Sequence, residues 1–316
     1  MACFMTTPPR RLIITGSDHR YFPLLQELVA SLRRFPHLAT IEIACIDGGL
    51  KRTHIHWLKQ QHILHRAPRH FPHVSPRALR KRPHLAIELS KMALDQLFPD
   101  YDTLLWLDAD SWVQDCSAID LLLRAAEQKE QPLAIIPELF LHKPLFRLRW
   151  LAFSLTQLRS ILYKNARIAH LPRHLCRAIG VRPTLNGGVF ALSRTAPHWP
   201  RLRYWQERVL RYGKIFSSSQ LAFALTSYHD NYPIAFMPTG CNYLGPWMLN
   251  PQTGQLCEVT FPHNPVGIVH LAGYDAIRLD PKVTLTIPDL NGTPHALNLR
   301  FPSMQIEQEQ NGNLNA

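Results

Sequence analysis

The chain has 316 residues, 46% hydrophobic and 18% charged, with 35 Lys and Arg against 23 Asp and Glu for a net charge of +12. Such a composition supports one large folded domain or two small ones and excludes a disordered polyelectrolyte, while the charge asks for a polyanionic neighbour. No run reaches the roughly 18 apolar residues of a membrane span, and Met1–Met5 is too short an apolar patch for a signal peptide, so a cytoplasmic protein is expected.

Arg11–Gly16 reads as a buried strand opening into the polar loop Ser17–Arg20. Leu24, Leu25, Leu28, Val29 and Leu32 predict a helix over 21–35, ended by Pro36. Ile41–Ile46 is a second strand, stopped by Asp47-Gly48-Gly49, with Asp47 read as a turn residue. Strand, helix and strand in this order predict a parallel unit with a right-handed crossover, whose ligands bind beyond the carboxyl ends of the strands. The segment 51–83 holds His54, His56, His62, His65, His70 and His73 without a Cys or carboxylate cluster. It is read as a basic loop over a substrate rather than a zinc site. The six cysteines are widely spaced and read as reduced thiols, mostly packing residues.

A helix over 85–98 leads to the strand Leu104–Leu107, which ends in Asp108-Ala109-Asp110. Two carboxylates at the tip of a buried strand are costly unless a cation meets them, and carboxylate oxygens are what Mg and Mn prefer. Further strands are expected at 133–137, 185–192, 234–237 and 266–270, the last ending in His270 with Gly273 beyond it. Glycines at Asn186-Gly187-Gly188 let backbone approach a ligand. Between 139 and 206 there is no Asp or Glu at all. Leu145, Leu148, Leu151, Leu155, Leu158 and Leu162 predict a helix over 144–163, flanked by Arg147, Arg149 and Arg159, that suits an anionic membrane interface. Helices follow over 202–212 and 221–225, the second capped by Ser217–Gln220. The elements define an α/β protein with a mixed, mostly parallel, Rossmann-like central sheet flanked by helices.

Five segments in order resemble the GT-A fold glycosyltransferases, and among them family 8, which includes glycogenin and bacterial lipopolysaccharide glucosyl- and galactosyltransferases. They are Ile13–Tyr21, Leu105–Asp110, Leu185–Val189, Ser219-Gln220 and His270–Gly273. The resemblance implies one GT-A domain over 1–304: a nucleotide-binding half over 11–115, a basic helical insertion over 139–182 and a donor-sugar and acceptor half over 183–280. Residues 305–316 read as a flexible tail. It implies Mn or Mg held by Asp108, Asp110 and His270. It implies a UDP-sugar bound by Thr15, Gly16, Ser17, Asp18, Arg20, Asp108, Ala109, Asn186, Gly187, Gly188, Gly273 and Arg278. Asn186 and Gln220 would act on the sugar, with transfer of a hexose to a glycan or glycolipid and retention of configuration. An anionic acceptor and an anionic membrane surface docked through 143–182, at the inner face of a membrane, would account for the basic stretch. No nucleic-acid partner is expected.

Two departures stand out. The family's Asp-Gln pair is Ser219-Gln220 here, so a carboxylate near the reacting sugar is missing, and Ala276 stands where a phosphate-binding Lys is expected, with Arg278 two residues on. Rival readings are a sugar-phosphate nucleotidyltransferase, which calls for a more glycine-rich first loop than Gly16–Arg20, and a basic nucleic-acid-binding protein, which leaves the Asp and His motifs without a purpose.

Overall fold

The computed structural model describes residues 9–71, 74, 77, 79, 82–138, 146–150 and 156–305. The strands that frame the site are β1 (Arg11–Ser17), β2 (Glu42–Asp47), β3 (Leu64–Arg66), β4 (Thr103–Leu107), β5 (Ser111–Val113), β6 (Leu133–Pro137), β7 (Phe146–Trp150), β8 (Thr156–Ser160), β9 (Leu185–Ser193) and β10 (Ile234–Phe236). β11 (Trp247–Leu249), β12 (Leu256–Glu258) and β13 (Ile268–His270) follow. Seven of them form one sheet in the order β10-β6-β9-β4-β1-β2-β3. β1 runs parallel to β2 and β4, β2 to β3, and β6 to β10, while β9 lies antiparallel between β4 and β6. This is the mixed, mostly parallel sheet the sequence predicts.

Strand periodicity divides the core into two layers. Leu12, Ile14, Leu104 and Trp106 pack on the side of Trp199, Leu202 and Phe223, which belong to the helices His198–Leu210 and Ser218–Ala224. Ile13, Leu105 and Leu107 pack on the other side against Leu25, Leu28, Ile119 and Leu122, from the helices Phe22–Arg33 and Ser117–Ala126. Phe22–Arg33 begins with Pro23 in its first turn, where a missing N–H costs nothing, and buries Leu24, Leu25, Leu28, Val29 and Leu32. Asp47 is the turn residue it was read as: its Oδ1 accepts from the N–H groups of Gly49 and Leu50 at 2.8 and 2.7 Å, and its Oδ2 pairs with His65 at 2.9 Å.

The predicted helix over 144–163 is replaced by a hairpin. β7 and β8 pair antiparallel, with Phe146 opposite Ser160 and Arg147 opposite Arg159, and helices follow at Ile161–Ile168 and Arg173–Gly180. The leucines fit a helical repeat, but Phe146-Arg147-Leu148-Arg149-Trp150 also alternates apolar and basic with a period of two, the strand signature. Residues 139–145, with Lys143, and 151–155 lie outside the described residues, as does most of the polar tail, 306–316.

The stretch read as one helix over 85–98 has three pieces: Leu85–Ser90, a tight 3₁₀ turn Lys91–Ala93, and Leu94–Leu97. β13 lies outside the main sheet and pairs antiparallel with β5, His270 opposite Ser111. The five cysteines among the described residues are free thiols, and four are buried. No helix among the described residues is long and apolar enough to cross a membrane.

Candidate active site

The two aspartates are fixed by backbone on both flanks. The N–H of Asp108 donates to the Gly188 carbonyl at 2.8 Å, tying the end of β4 to β9. The N–H of Leu271 donates to the Asp110 carbonyl at 2.9 Å, tying the same turn to the end of β13. The β5–β13 pairing therefore delivers His270, distant in sequence, to the carboxyl end of β4. His270 Nε2 stands 3.3 Å from Asp110 Oδ1 and 4.0 Å from Asp108 Oδ2.

The remaining partners orient these atoms. Asp108 Oδ1 accepts from Trp106 Nε1 at 2.8 Å and from Lys91 Nζ at 2.9 Å, which leaves Oδ2 on the His270 side. Asp110 Oδ2 takes Arg278 Nη1 at 2.5 Å, which leaves Oδ1 facing His270. His270 Nδ1 lies 2.7 Å from Asn242 Oδ1. An amide oxygen only accepts, so this contact places a ring proton on Nδ1 and turns Nε2 toward the two carboxylates.

One ligand atom from each of Asp108, Asp110 and His270 lies within 4.8 Å of the other two, the only such cluster of His, Cys, Asp or Glu among the described residues. The donor set fits a hard divalent ion. Mg binds at about 2.0–2.1 Å in octahedral geometry, so its ligand atoms stand roughly 3 to 4 Å apart, the spacing of Nε2 from the two carboxylates. Burial disfavours charge on Asp110 and His270 alike. The His270 ring and Arg278 outweigh it at Asp110, whose pKa lies well below the ordinary carboxylate range. Asp110 and Asp108 outweigh it at His270, whose pKa is raised.

Gly188 is a glycine for a reason legible in space. A Cβ there would stand 2.4 Å from His270 Cε1, 2.9 Å from Asn186 Oδ1 and 3.0 Å from Asp108 Oδ2. Gly188→Ala is expected to displace His270 and Asp108, two of the three ligands, costing about 1–3 kcal/mol of stability through overpacking. It should also remove metal-dependent nucleotide binding from a chain that still gives a cooperative unfolding transition. Calorimetric titration beside a urea curve checks both.

The other expected site residues fall in three groups. Asn186 is buried and internally committed: Nδ2 donates to Glu138 Oε1 at 2.7 Å, and Oδ1 accepts from the Gly188 N–H at 2.7 Å. Gln220 is half-buried on the helix Ser218–Ala224. Ser217 is the N-cap of that helix without a side-chain cap bond, and Ser219 hydrogen-bonds Glu88 instead. On the nucleotide side, Thr15, Gly16 and Ser17 form the buried end of β1, and a Cβ on Gly16 would strike Ile87 at 2.4 Å. Asp18 Oδ1 accepts from the N–H groups of Arg20 and Tyr21 and so turns the chain just before the first helix, and Arg20 is exposed. Ala109 is buried, and Gly273 turns the chain after β13 at φ +88°. Arg278 reaches the site, bonded to Asp110 and Asp275 and lying over the Tyr21 ring at 5.3 Å. Asp275 itself is an exposed acid serving that arginine.

Sequence reasoning missed Lys91, Glu88, Glu138 and the hydrogen bond from His270 to Asn242. Lys91 is buried, and its Nζ meets Asp108 Oδ1 at 2.9 Å, the Gly187 carbonyl at 3.0 Å and Glu88 Oε2 at 3.2 Å. The available signal was a lysine set among apolar residues on both sides in the 85–98 segment. A small open crevice adjoins the site, lined by Ile136, Pro137, Glu138, Asn242, Tyr243 and Thr260.

No known protein-family profile matches this sequence, and no curated protein matches it. Solved structures do. Mouse xyloside xylosyltransferase 1 in its apo form aligns with a TM-score of 0.50 and 11% identity, over 84% of this chain and 98% of that one. An active-site mutant of LgtC gives 0.48 and 14% identity over 83% and 87%, and the apo glycosyltransferase GlyE of Streptococcus pneumoniae gives 0.47 and 13% over 96% and 61%. The fold is the GT-A glycosyltransferase fold. At these identities the likeness establishes the fold alone.

Proposed function

We propose that this protein is a metal-dependent glycosyltransferase that moves a hexose from a UDP-sugar to a glycan or glycolipid acceptor, with retention of configuration. The observation that carries the reading is the convergence of Asp108 Oδ2, Asp110 Oδ1 and His270 Nε2 at the carboxyl end of a central strand in a GT-A fold. Asp108, Asp110 and His270 would hold a divalent ion, Mn or Mg, which would supply positive charge to a departing nucleoside diphosphate. Asn242 accepts from His270 Nδ1 and so holds Nε2 toward the carboxylates. Arg278, beside Asp110, stands as the phosphate-side cation in place of the lysine absent at Ala276.

Thr15, Gly16, Ser17, Asp18 and Arg20 shape the nucleotide side at the end of β1, within the 11–115 half. Gln220 and the Asn186-Gly187-Gly188 segment shape the sugar side, within the 183–280 half, with Asn186 acting by holding Gly188 in place. The cleft between Glu138 and Asn242 suits the acceptor hydroxyls. UDP, a hexose and retention come from the sequence resemblance. The reading is tested by incubating the protein with UDP-glucose and UDP-galactose and measuring released UDP with Mn and with chelator. Mn-dependent release supports it, and absence of release from any UDP-sugar contradicts it.

The acceptor in this reading is anionic, or sits on an anionic membrane at its cytoplasmic face. Support comes from exposed Lys164, Arg167, Arg173, Arg177 and Arg182 in and after the helices Ile161–Ile168 and Arg173–Gly180, within a stretch that holds no acid. Each basic residue near an anionic bilayer contributes about 1 kcal/mol. Reversing Arg167, Arg173 and Arg177 to Glu is expected to weaken co-sedimentation with phosphatidylserine vesicles at least about hundredfold. Unchanged sedimentation would sink the membrane part and leave the catalytic part standing.

A further inference from the structure

We propose that Glu88 supplies the carboxylate that reads the hydroxyls of the donor sugar, a role that rests on the glycosyltransferase reading and extends it. Glu88 lies in the short helix Leu85–Ser90 and shares the Lys91 ammonium with Asp108 of the metal cluster. Its Oε1 accepts the hydroxyl proton of Ser219, and its Oε2 meets Lys91 Nζ at 3.2 Å. The same ammonium lies 2.9 Å from Asp108 and 3.0 Å from the Gly187 carbonyl. Those links, both to one ammonium, hold the Glu88 carboxylate close to Asp108. Gly187 closes the group: a Cβ there would stand 3.3 Å from Ser219 Oγ.

The chemistry of this cluster is that of a hydroxyl reader. An ionised carboxylate offers about four acceptor positions. Ser219 and Lys91 take one each, and the Glu88 side chain keeps 15% of its surface exposed. Position 219, where the sequence leads one to expect an acid, holds a serine that is 1% exposed. The carboxylate stands across a hydrogen bond from its expected place, contributed by a different helix. A pure counter-ion for Lys91 would have no need of the Ser219 contact, since Asp108 already pairs with that ammonium. A donor sugar lacking the matching hydroxyl would leave a desolvated carboxylate partly unpaired, the most selective kind of mismatch.

The experiment compares wild type, Glu88→Gln, and the transposed double variant Glu88→Ser with Ser219→Asp. Two readouts are taken: the Kd for UDP with Mn by calorimetry, and kcat/KM for UDP release from UDP-glucose and from UDP-galactose. In Glu88→Gln the UDP Kd is expected to stay within about threefold, because Glu88 touches no phosphate. Release from the preferred sugar falls about a hundredfold, and the ratio between the two sugars contracts. The double variant restores at least about tenfold of the lost release, because the carboxylate returns from the other side of the same contact. An unchanged sugar ratio in Glu88→Gln, whatever its wild-type value, overturns the proposal. So does a UDP Kd that weakens in step with release, since Glu88 would then act only by holding Lys91. Wild-type protein that binds no UDP fails differently and removes the glycosyltransferase reading along with it.

Discussion

Asp110→Asn is expected to abolish metal-dependent UDP binding, by at least a hundredfold in affinity, while the chain remains folded. Asparagine matches aspartate in shape, so the turn between β4 and β5 and the Leu271 N–H bond to the 110 carbonyl are retained. What disappears is one unit of negative charge facing both His270 Nε2 and Arg278. Loss of a hydrogen-bonding partner outside the ligand set already costs 10- to 100-fold in metal affinity as a rough rule, and a direct ligand costs more. Arg278 loses its buried counter-ion, and removing one member of a buried pair costs about 3–5 kcal/mol. Asp275 still pairs with Arg278, which holds the expected loss near the lower end. Calorimetry with Mn reads the first effect and the urea midpoint without metal reads the second. UDP affinity within tenfold of wild type would mean that Asp110 is not a ligand.

Lys91→Met is the second large effect, and it falls on stability. The Lys91 ammonium is buried, lies 5.0 Å from the Trp106 ring centre, and serves Glu88 and Asp108 together. Burial works against its charge, but the two carboxylates more than compensate, and its pKa is raised. A lysine whose folded pKa is raised contributes its full stabilisation below the unfolded value of about 10.4 and loses it only as pH rises through the folded value. The whole contribution is therefore present at neutral pH. Methionine fills similar volume but leaves two carboxylates facing each other, and a loss of about 3–5 kcal/mol at pH 7 is expected. Adding Glu88→Gln to that variant recovers part of the loss. A single-variant loss under about 1 kcal/mol would show that solvent already screens the pair.

How far the sequence carries the reader depends on whether a signal is local. β1, the helix after it, β2 and β4 were legible because burial stamps a period on the chain, and Leu104–Leu107 is apolar throughout because a central strand is covered on both faces. Asp108, Asp110 and His270 were legible as motifs, and their meeting was implied by the family resemblance rather than by any local pattern. It depends on β13 leaving the main sheet to pair with β5. The 146–160 hairpin was misread because leucines at helical spacing coexist there with strict alternation of Phe146, Arg147, Leu148, Arg149 and Trp150. The packing reason for a glycine at 16 was not legible, because Ile87, far along the chain, occupies the space where a Cβ would lie. Lys91, Glu88 and Asn242 act through partners far along the chain, Asp108, Ser219 and His270, and no spacing rule links such pairs.

The central claim is that Asp108, Asp110 and His270 hold a divalent ion to which a nucleoside diphosphate binds. The most direct test is a calorimetric titration of UDP into the wild-type protein, once with Mn and once with chelator. The account predicts micromolar binding with Mn that weakens at least a hundredfold without it. Binding of equal strength in both conditions, or none in either, would contradict it.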